Sequence, residues 1–191
     1  LDTRTGKMQW SFFTQGPVRF APQVADGMLY FGSDDGHAYC LNAVSGKLVW
    51  KYRPGPSGER IIGKGRVISL WPLRSGVLVD QGIAYFSAGV FPYEGLHICA
   101  VDAKTGKEIW TNDTAGDLAW GQTYGGMAPQ GYLVASDEIL YVPSGRGMPA
   151  AFDRKDGRFV KFLSGGGKAG GSWALIDQGQ LIAGSDNVGK P

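Results

Sequence analysis

The residues best suited to chemistry fall into three groups. Between Arg53 and Arg66 the chain reads Arg-Pro-Gly-Pro-Ser-Gly-Glu-Arg-Ile-Ile-Gly-Lys-Gly-Arg, setting Arg53, Arg60, Lys64 and Arg66, with Arg74 just beyond, against one acid, Glu59. Basic side chains on a glycine-rich backbone suit an anion or an acidic partner; the same composition also describes a solvated surface loop. The second group is aromatic. Trp71, Trp120 with Gln122 and Tyr124, and Trp173 each precede an expected innermost strand, and Arg19 and Arg74 hold comparable places. Rings and guanidinium groups around a pore mouth would stack a quinone, a sugar or a peptide, although a Trp at a strand start also serves packing between sheets. The third group is His37 and His97, which lie at matching places in successive repeats. Matching position favours a shared structural role over a metal pair, because no third ligand accompanies them.

Other features are silent. Asp34-Asp35 falls in a Gly-flanked turn, where Asp is favoured for turn chemistry alone. Asn112-Asp113-Thr114 fits a glycosylation sequon, a triplet that arises often by chance. There is no Gly-x-Ser-x-Gly elbow, no HExxH and no phosphate-loop Gly-Lys-Ser/Thr. Cys40 and Cys99 have neither zinc nor haem spacing and read as buried thiols. A net charge of +2 is too small to argue for nucleic acid, and no apolar run is long enough to span a membrane.

The elements that position these residues come from a repeat. Leu1-Asp2-Thr3-Arg4-Thr5-Gly6-Lys7-Met8-Gln9-Trp10 recurs as Leu41 to Trp50 and Val101 to Trp110, and more weakly as Phe152 to Lys161. In each, an Asp or Asn folds onto the backbone ahead of it, and Gly four residues later supplies a positive φ. A Trp then sits on the returning strand. A second unit precedes three of these turns: Asp26-Gly27-Met28-Leu29-Tyr30-Phe31, echoed from Asp80, Asp137 and Asp177. Together they spell a four-stranded antiparallel meander with a period of about 40 residues, as in propeller blades. The 31 glycines, recurring between short apolar runs, agree with many tight turns.

These motifs resemble the quinoprotein-type, or PQQ-like, propeller repeat, and most closely that of uncharacterised secreted bacterial proteins. The resemblance implies an all-β β-propeller of four-stranded antiparallel blades, here a partial ring, roughly half of a seven- or eight-bladed disc. Residues 1–14 then supply outer strands of one blade, 17–53, 68–114 and 125–165 whole blades, and 171–186 the inner strands of another. The connections 54–67 and 112–127 lie on a face of the disc. Because the chain opens and stops mid-blade, the expectation is an open arc with Trp10 and Leu181 far apart, completed by further sequence or a second copy.

The resemblance also carries two functional implications. One is a non-catalytic binding or assembly scaffold, extracytoplasmic, taking a protein, peptide or saccharide on a propeller face. The other is part of a PQQ-dependent dehydrogenase, or of an electron-transfer assembly with a cytochrome domain. In those dehydrogenases PQQ lies between a Trp and a disulfide of adjacent cysteines, with calcium held by Glu and Asn and an Asp as base. This chain has no adjacent cysteines, and Trp120, Trp173, Arg74 and Glu94 match no such motif. No catalytic residue or cofactor is therefore carried over, and the scaffold reading is favoured.

Three expectations concern packing. Trp10, Trp50 and Trp110 should be buried at blade boundaries. Lys161, standing where the repeat wants Trp, should leave its boundary the loosest. Cys40 and Cys99, offset by one residue in equivalent strands, should face opposite sides of their blades and stay free thiols.

Overall fold

The computed structural model describes all residues except 64, 118–126, 146, 164–170 and 185–191. Its commonest local unit is the Asx turn foreseen in the repeat. Asp102 Oδ1 accepts the amides of Lys104 (3.1 Å) and Thr105 (2.8 Å), and Asp2 and Asn42 do the same with their own neighbours. Gly106 closes the turn at φ 70°, with its amide on Asp102 O at 2.8 Å. The three such turns that join strands, at Asn42, Asp102 and Asp153, are each followed by a register shift in the ladder, at Cys40/Leu41, Glu108/Trp110 and Ala151/Phe152. The bulge re-aims the returning strand.

Three complete meanders result. The first sheet runs β1 (Gln23–Ala25), β2 (Met28–Gly32), β3 (Ala38–Asn42) and β4 (Leu48–Tyr52). A separate hairpin follows, β5 (Arg60–Gly63) and β6 (Arg66–Ser69). The second sheet is β7 (Leu78–Asp80), β8 (Ile83–Ala88), β9 (His97–Asp102) and β10 (Glu108–Asn112); the third is β11 (Val134–Ala135), β12 (Ile139–Ser144), β13 (Gly147–Asp153) and β14 (Phe159–Phe162). A last hairpin, β15 (Trp173–Asp177) and β16 (Gln180–Gly184), leans on β11 and β12. Residues 1–14 form no strand, and among the described residues no ladder joins them to β15 or β16.

The sheets stack face to face, so the middle strands are buried on both sides and read as continuous apolar runs rather than alternating ones. In the first sheet Tyr30 and Cys40 point toward the second sheet, where they meet Phe86, Cys99 and Val101. The next residues along, Phe31, Tyr39 and Leu41, face the other way and pack on Trp10 and Phe12. Tyr85, Ile98 and Ala100 carry the stack on to Leu140, Val142 and Phe152 of the third sheet. The cysteines do point to opposite faces of equivalent strands. Because their sheets are adjacent, this brings both into one inter-sheet core, where both are buried free thiols.

Each Trp clamps its sheet to the next turn. Trp50 Nε1 donates to Ala103 O (2.8 Å) and Trp110 Nε1 to Arg154 O (2.8 Å), and each indole is 7% exposed. Trp10 Nε1 bonds Ala43 O at 3.1 Å, but its ring is only half-buried, having no sheet of its own around it. Lys161 is exposed, and a cleft of about 420 Å³ opens there between β13–β14 and β16, lined by Tyr141, Met148, Phe162 and Leu181.

Candidate binding face

A meander sends its connections to two ends. Those joining first to second and third to fourth strands lie on one face, and those joining second to third strands, or one sheet to the next, lie on the other. On the first face every connection is a short turn, such as Asp26-Gly27, Gln81-Gly82 and the Asx turns. Among the described residues the second face carries the long excursions: the stretch between β4 and β7 with the inserted hairpin, 89–96, and 113–117 with 127–133. Loops of that length on a rigid frame are where function concentrates.

Asp34, in the β2–β3 turn, anchors this face. Its side chain is fully buried, and Oδ2 accepts from Arg19 Nε at 2.6 Å, with Arg19 Nη2 also at 2.6 Å. Arg74 Nε lies 3.2 Å from Oδ1. Both arginines precede an innermost strand, as their spacing suggested, but the sequence reading assigned Asp34 to turn chemistry alone. Its neighbour Asp35 performs that role, accepting the amides of His37 (3.1 Å) and Gln15 (3.0 Å) and the Tyr39 hydroxyl (2.6 Å). Burial disfavours the Asp35 carboxylate, and its bonds to His37, Tyr39 and Gln15 outweigh that and hold it below the usual range.

The lead-in segments also meet one another. Ser75 and Gly131 form a parallel bridge, and Gly76 N donates to Gly131 O at 2.9 Å. Tyr132 reaches across to the first sheet, where its hydroxyl accepts Ala21 N at 3.0 Å and its ring meets Phe20 edge-on at 5.3 Å. A Cβ on Gly76 would come within 2.4 Å of that ring. Lower down, the Gln23 amide doubles as a strand partner, accepting Val79 N (2.7 Å) and donating to Val79 O (3.1 Å).

The remaining sequence candidates separate. Trp71 is 6% exposed, its indole donating to Glu94 O at 2.7 Å, with Gly55 beneath it and His97 on its edge, so it supports the face from below. Trp173 opens β15 and covers Gly184. Arg60 and Arg66 stand exposed on the inserted hairpin, which the sequence reading took as loop; Arg60 Nη2 bonds Gln15 Oε1 at 2.6 Å. Lys64, Trp120, Gln122 and Tyr124 lie outside the described residues. A pair the sequence reading passed over, Phe91 and Tyr93, stacks at 5.5 Å and 16°, with Tyr93 79% exposed. His37, in the turn before β3, lies on Asp35, and His97, opening β9, lies against Trp71.

PQQ with calcium, which the repeat type implies for its enzymes, was tested against this geometry. Calcium takes about 6–8 oxygen ligands, yet among the described residues no three His, Cys, Asp or Glu side chains converge. Of the two buried carboxylates, Asp34 is engaged by two arginines, and Asp35 by the turn amides, His37 and the Tyr39 hydroxyl. The described residues do not fit the group.

The stacked four-stranded meanders define a β-propeller. The chain belongs to the PQQ-like propeller repeat family: the family model described as outer membrane protein assembly factor BamB matches residues 1–112. The dehydrogenase subunit of a quinone alcohol dehydrogenase of Acetobacter aceti is 30% identical over 145 residues, 72% of this chain and 18% of that protein. A tetrathionate hydrolase of Acidithiobacillus ferrooxidans is 29% identical over 153 residues, 73% of this chain and 27% of that protein. The chain therefore spans well under a third of the length of these relatives. In three dimensions it resembles the crystal structure of the computationally designed Ika4 protein, with a TM-score of 0.62 and 14% identity over 95% of this chain and 94% of that one. At that identity the likeness is one of fold.

Proposed function

We propose that this chain is part of a non-catalytic propeller that serves as a binding or assembly scaffold outside the cytoplasm, presenting its long-loop face to a macromolecular partner. The observation that carries the reading is the asymmetry of the two faces among the described residues: tight turns on one, and the long excursions, with the exposed Ile62, Phe91 and Tyr93, on the other. Supporting it, the buried Asp34 carboxylate is engaged by Arg19 and Arg74, and the buried Asp35 by its own turn and Tyr39. The family description as an outer-membrane assembly factor agrees with such a role and location. The dehydrogenase names among the relatives favour the rival reading, that the chain belongs to a PQQ-dependent enzyme.

One experiment separates the two. A photo-crosslinking residue is placed at Tyr93 on the long-loop face or at Lys104 on the opposite face, and irradiated in the native host. The same protein is titrated with PQQ and calcium, following quinone absorbance and dye-linked alcohol oxidation. The scaffold reading expects one discrete adduct from position 93, none from 104, and no change with PQQ. Stoichiometric quinone binding with alcohol oxidation, or adducts from 104 alone, overturns it.

A further inference from the structure

The hairpin β5–β6 stands apart from the three sheets and is pinned only at its base. Ser69 N donates to Asp34 O (2.8 Å), Leu70 N to Glu59 O (2.9 Å), and Ile68 is buried. The register pairs Gly63 with Arg66, Ile62 with Val67, Ile61 with Ile68 and Arg60 with Ser69. In a hairpin closed by two residues the pair flanking the turn is hydrogen-bonded, and alternate pairs aim their backbone groups outward. Arg60 and Ile62 on β5, with Val67 and Ser69 on β6, are therefore the outward-facing set. That Ser69 N is the amide reaching Asp34 agrees with this parity. The β6 edge thus turns toward the first sheet at its base. On the β5 edge the backbone groups of Arg60 and Ile62 have no backbone partner among the described residues. On the hairpin Ile62 is 82% and Val67 57% exposed, and Arg53, Arg60 and Arg66 are exposed along a stretch, residues 53–66, whose one acid is Glu59.

We infer that the β5 edge docks an extended acidic segment of a partner protein, which adds a strand beside Arg60–Gly63. This rests on the scaffold reading and names the partner it would take. A free edge supplies donors and acceptors that an incoming backbone satisfies. Ile62 and Val67 cover its apolar side chains, and the arginines select acidic neighbours over basic ones. An anionic bilayer would match the charge and the two apolar side chains, but its hydrocarbon offers nothing to the unpaired backbone groups.

The test is fluorescence anisotropy with a labelled peptide alternating Val and Asp, its Val-Lys counterpart, and phosphatidylglycerol vesicles. Wild type should bind the acidic peptide and neither of the others. Ile62→Pro removes an outward N–H without cutting a bond inside the hairpin and should weaken binding about tenfold or more. Val67→Pro, on the other edge, should change it less than about twofold. Arg60→Glu with Arg66→Glu should abolish acidic-peptide binding and gain the basic peptide, with an unchanged thermal midpoint confirming the fold. Vesicle binding without peptide binding, or equal losses from both proline variants, overturns the edge-docking proposal. If Tyr93 still crosslinks a partner in that case, the scaffold reading survives the loss; if neither readout responds, both fall.

Discussion

Gly106 lies directly beneath Trp50: a Cβ on the glycine would stand 2.8 Å from the indole ring, while the indole N–H holds Ala103 O three residues back. The same pairing joins Gly157 to Trp110 and Gly46 to Trp10. Two demands coincide at these glycines, a left-handed φ and no room for a side chain, whereas Gly27, at φ 73°, has open space around it. Gly27→Ala should therefore cost about 1–2 kcal/mol from backbone strain alone. Gly106→Ala should cost visibly more, and Trp50→Ala about 3–5 kcal/mol. Urea unfolding of the three variants checks this; equal losses for the two glycines would show that the ring yields freely.

That relationship shows what a sequence of this kind reveals. The turn, the Gly and the Trp are local and repeat, so the meander and the place of the clamp were legible from spacing. The inserted hairpin was not, because Arg60-Ile61-Ile62-Gly63 sits among prolines and glycines whose composition reads as loop. Asp34 was read as a turn residue because it lies in a Gly-flanked turn; Arg19 and Arg74 reach it only once two lead-in segments are folded beside it. Phe20 and Tyr132, more than a hundred residues apart, meet through tertiary placement alone. The cysteine offset was legible as opposite faces, but that adjacent sheets turn opposite faces into one shared core required the stacking.

Asp34 holds two guanidinium groups with one fully buried carboxylate. Removing it leaves two cations facing each other. Since Arg19 and Arg74 both reach solvent (side chains 30% and 21% exposed), Asp34→Ala should cost about 2–3 kcal/mol, below the roughly 3–5 of a fully enclosed pair. The double variant Asp34→Ala/Arg74→Ala should recover part of that loss. Additive losses in urea melts would mean that the two charges are not coupled.

His97, edge-on to Trp71, is pushed below its ordinary pKa of 6.5 by burial, against a weaker opposing pull from Asp113. The unfolded chain thus takes up a proton more readily than the folded one. Its contribution to stability is complete above about pH 6.5 and is lost as pH falls through the lower folded value. The urea midpoint should decline between about pH 7.5 and pH 5, and His97→Gln should flatten that decline. An identical slope in the variant would place the acid sensitivity elsewhere.

Both thiols lie in the core between the first and second sheets. Burial raises the Cys40 pKa and pushes Cys99 up to about 12, with Thr111 Oγ1 donating to its sulfur at 3.6 Å. Since the thiolate is the reactive form, neither cysteine should react with a thiol reagent at neutral pH in the folded protein, and both should react after denaturation. Unfolding in guanidinium should therefore release two equivalents in a single step with the loss of Trp50 fluorescence, because the ring and both sulfurs belong to one core. A thiol that labels in the native state would show that the first two sheets part at this boundary without global unfolding. Fewer than two equivalents in denaturant would reveal a disulfide.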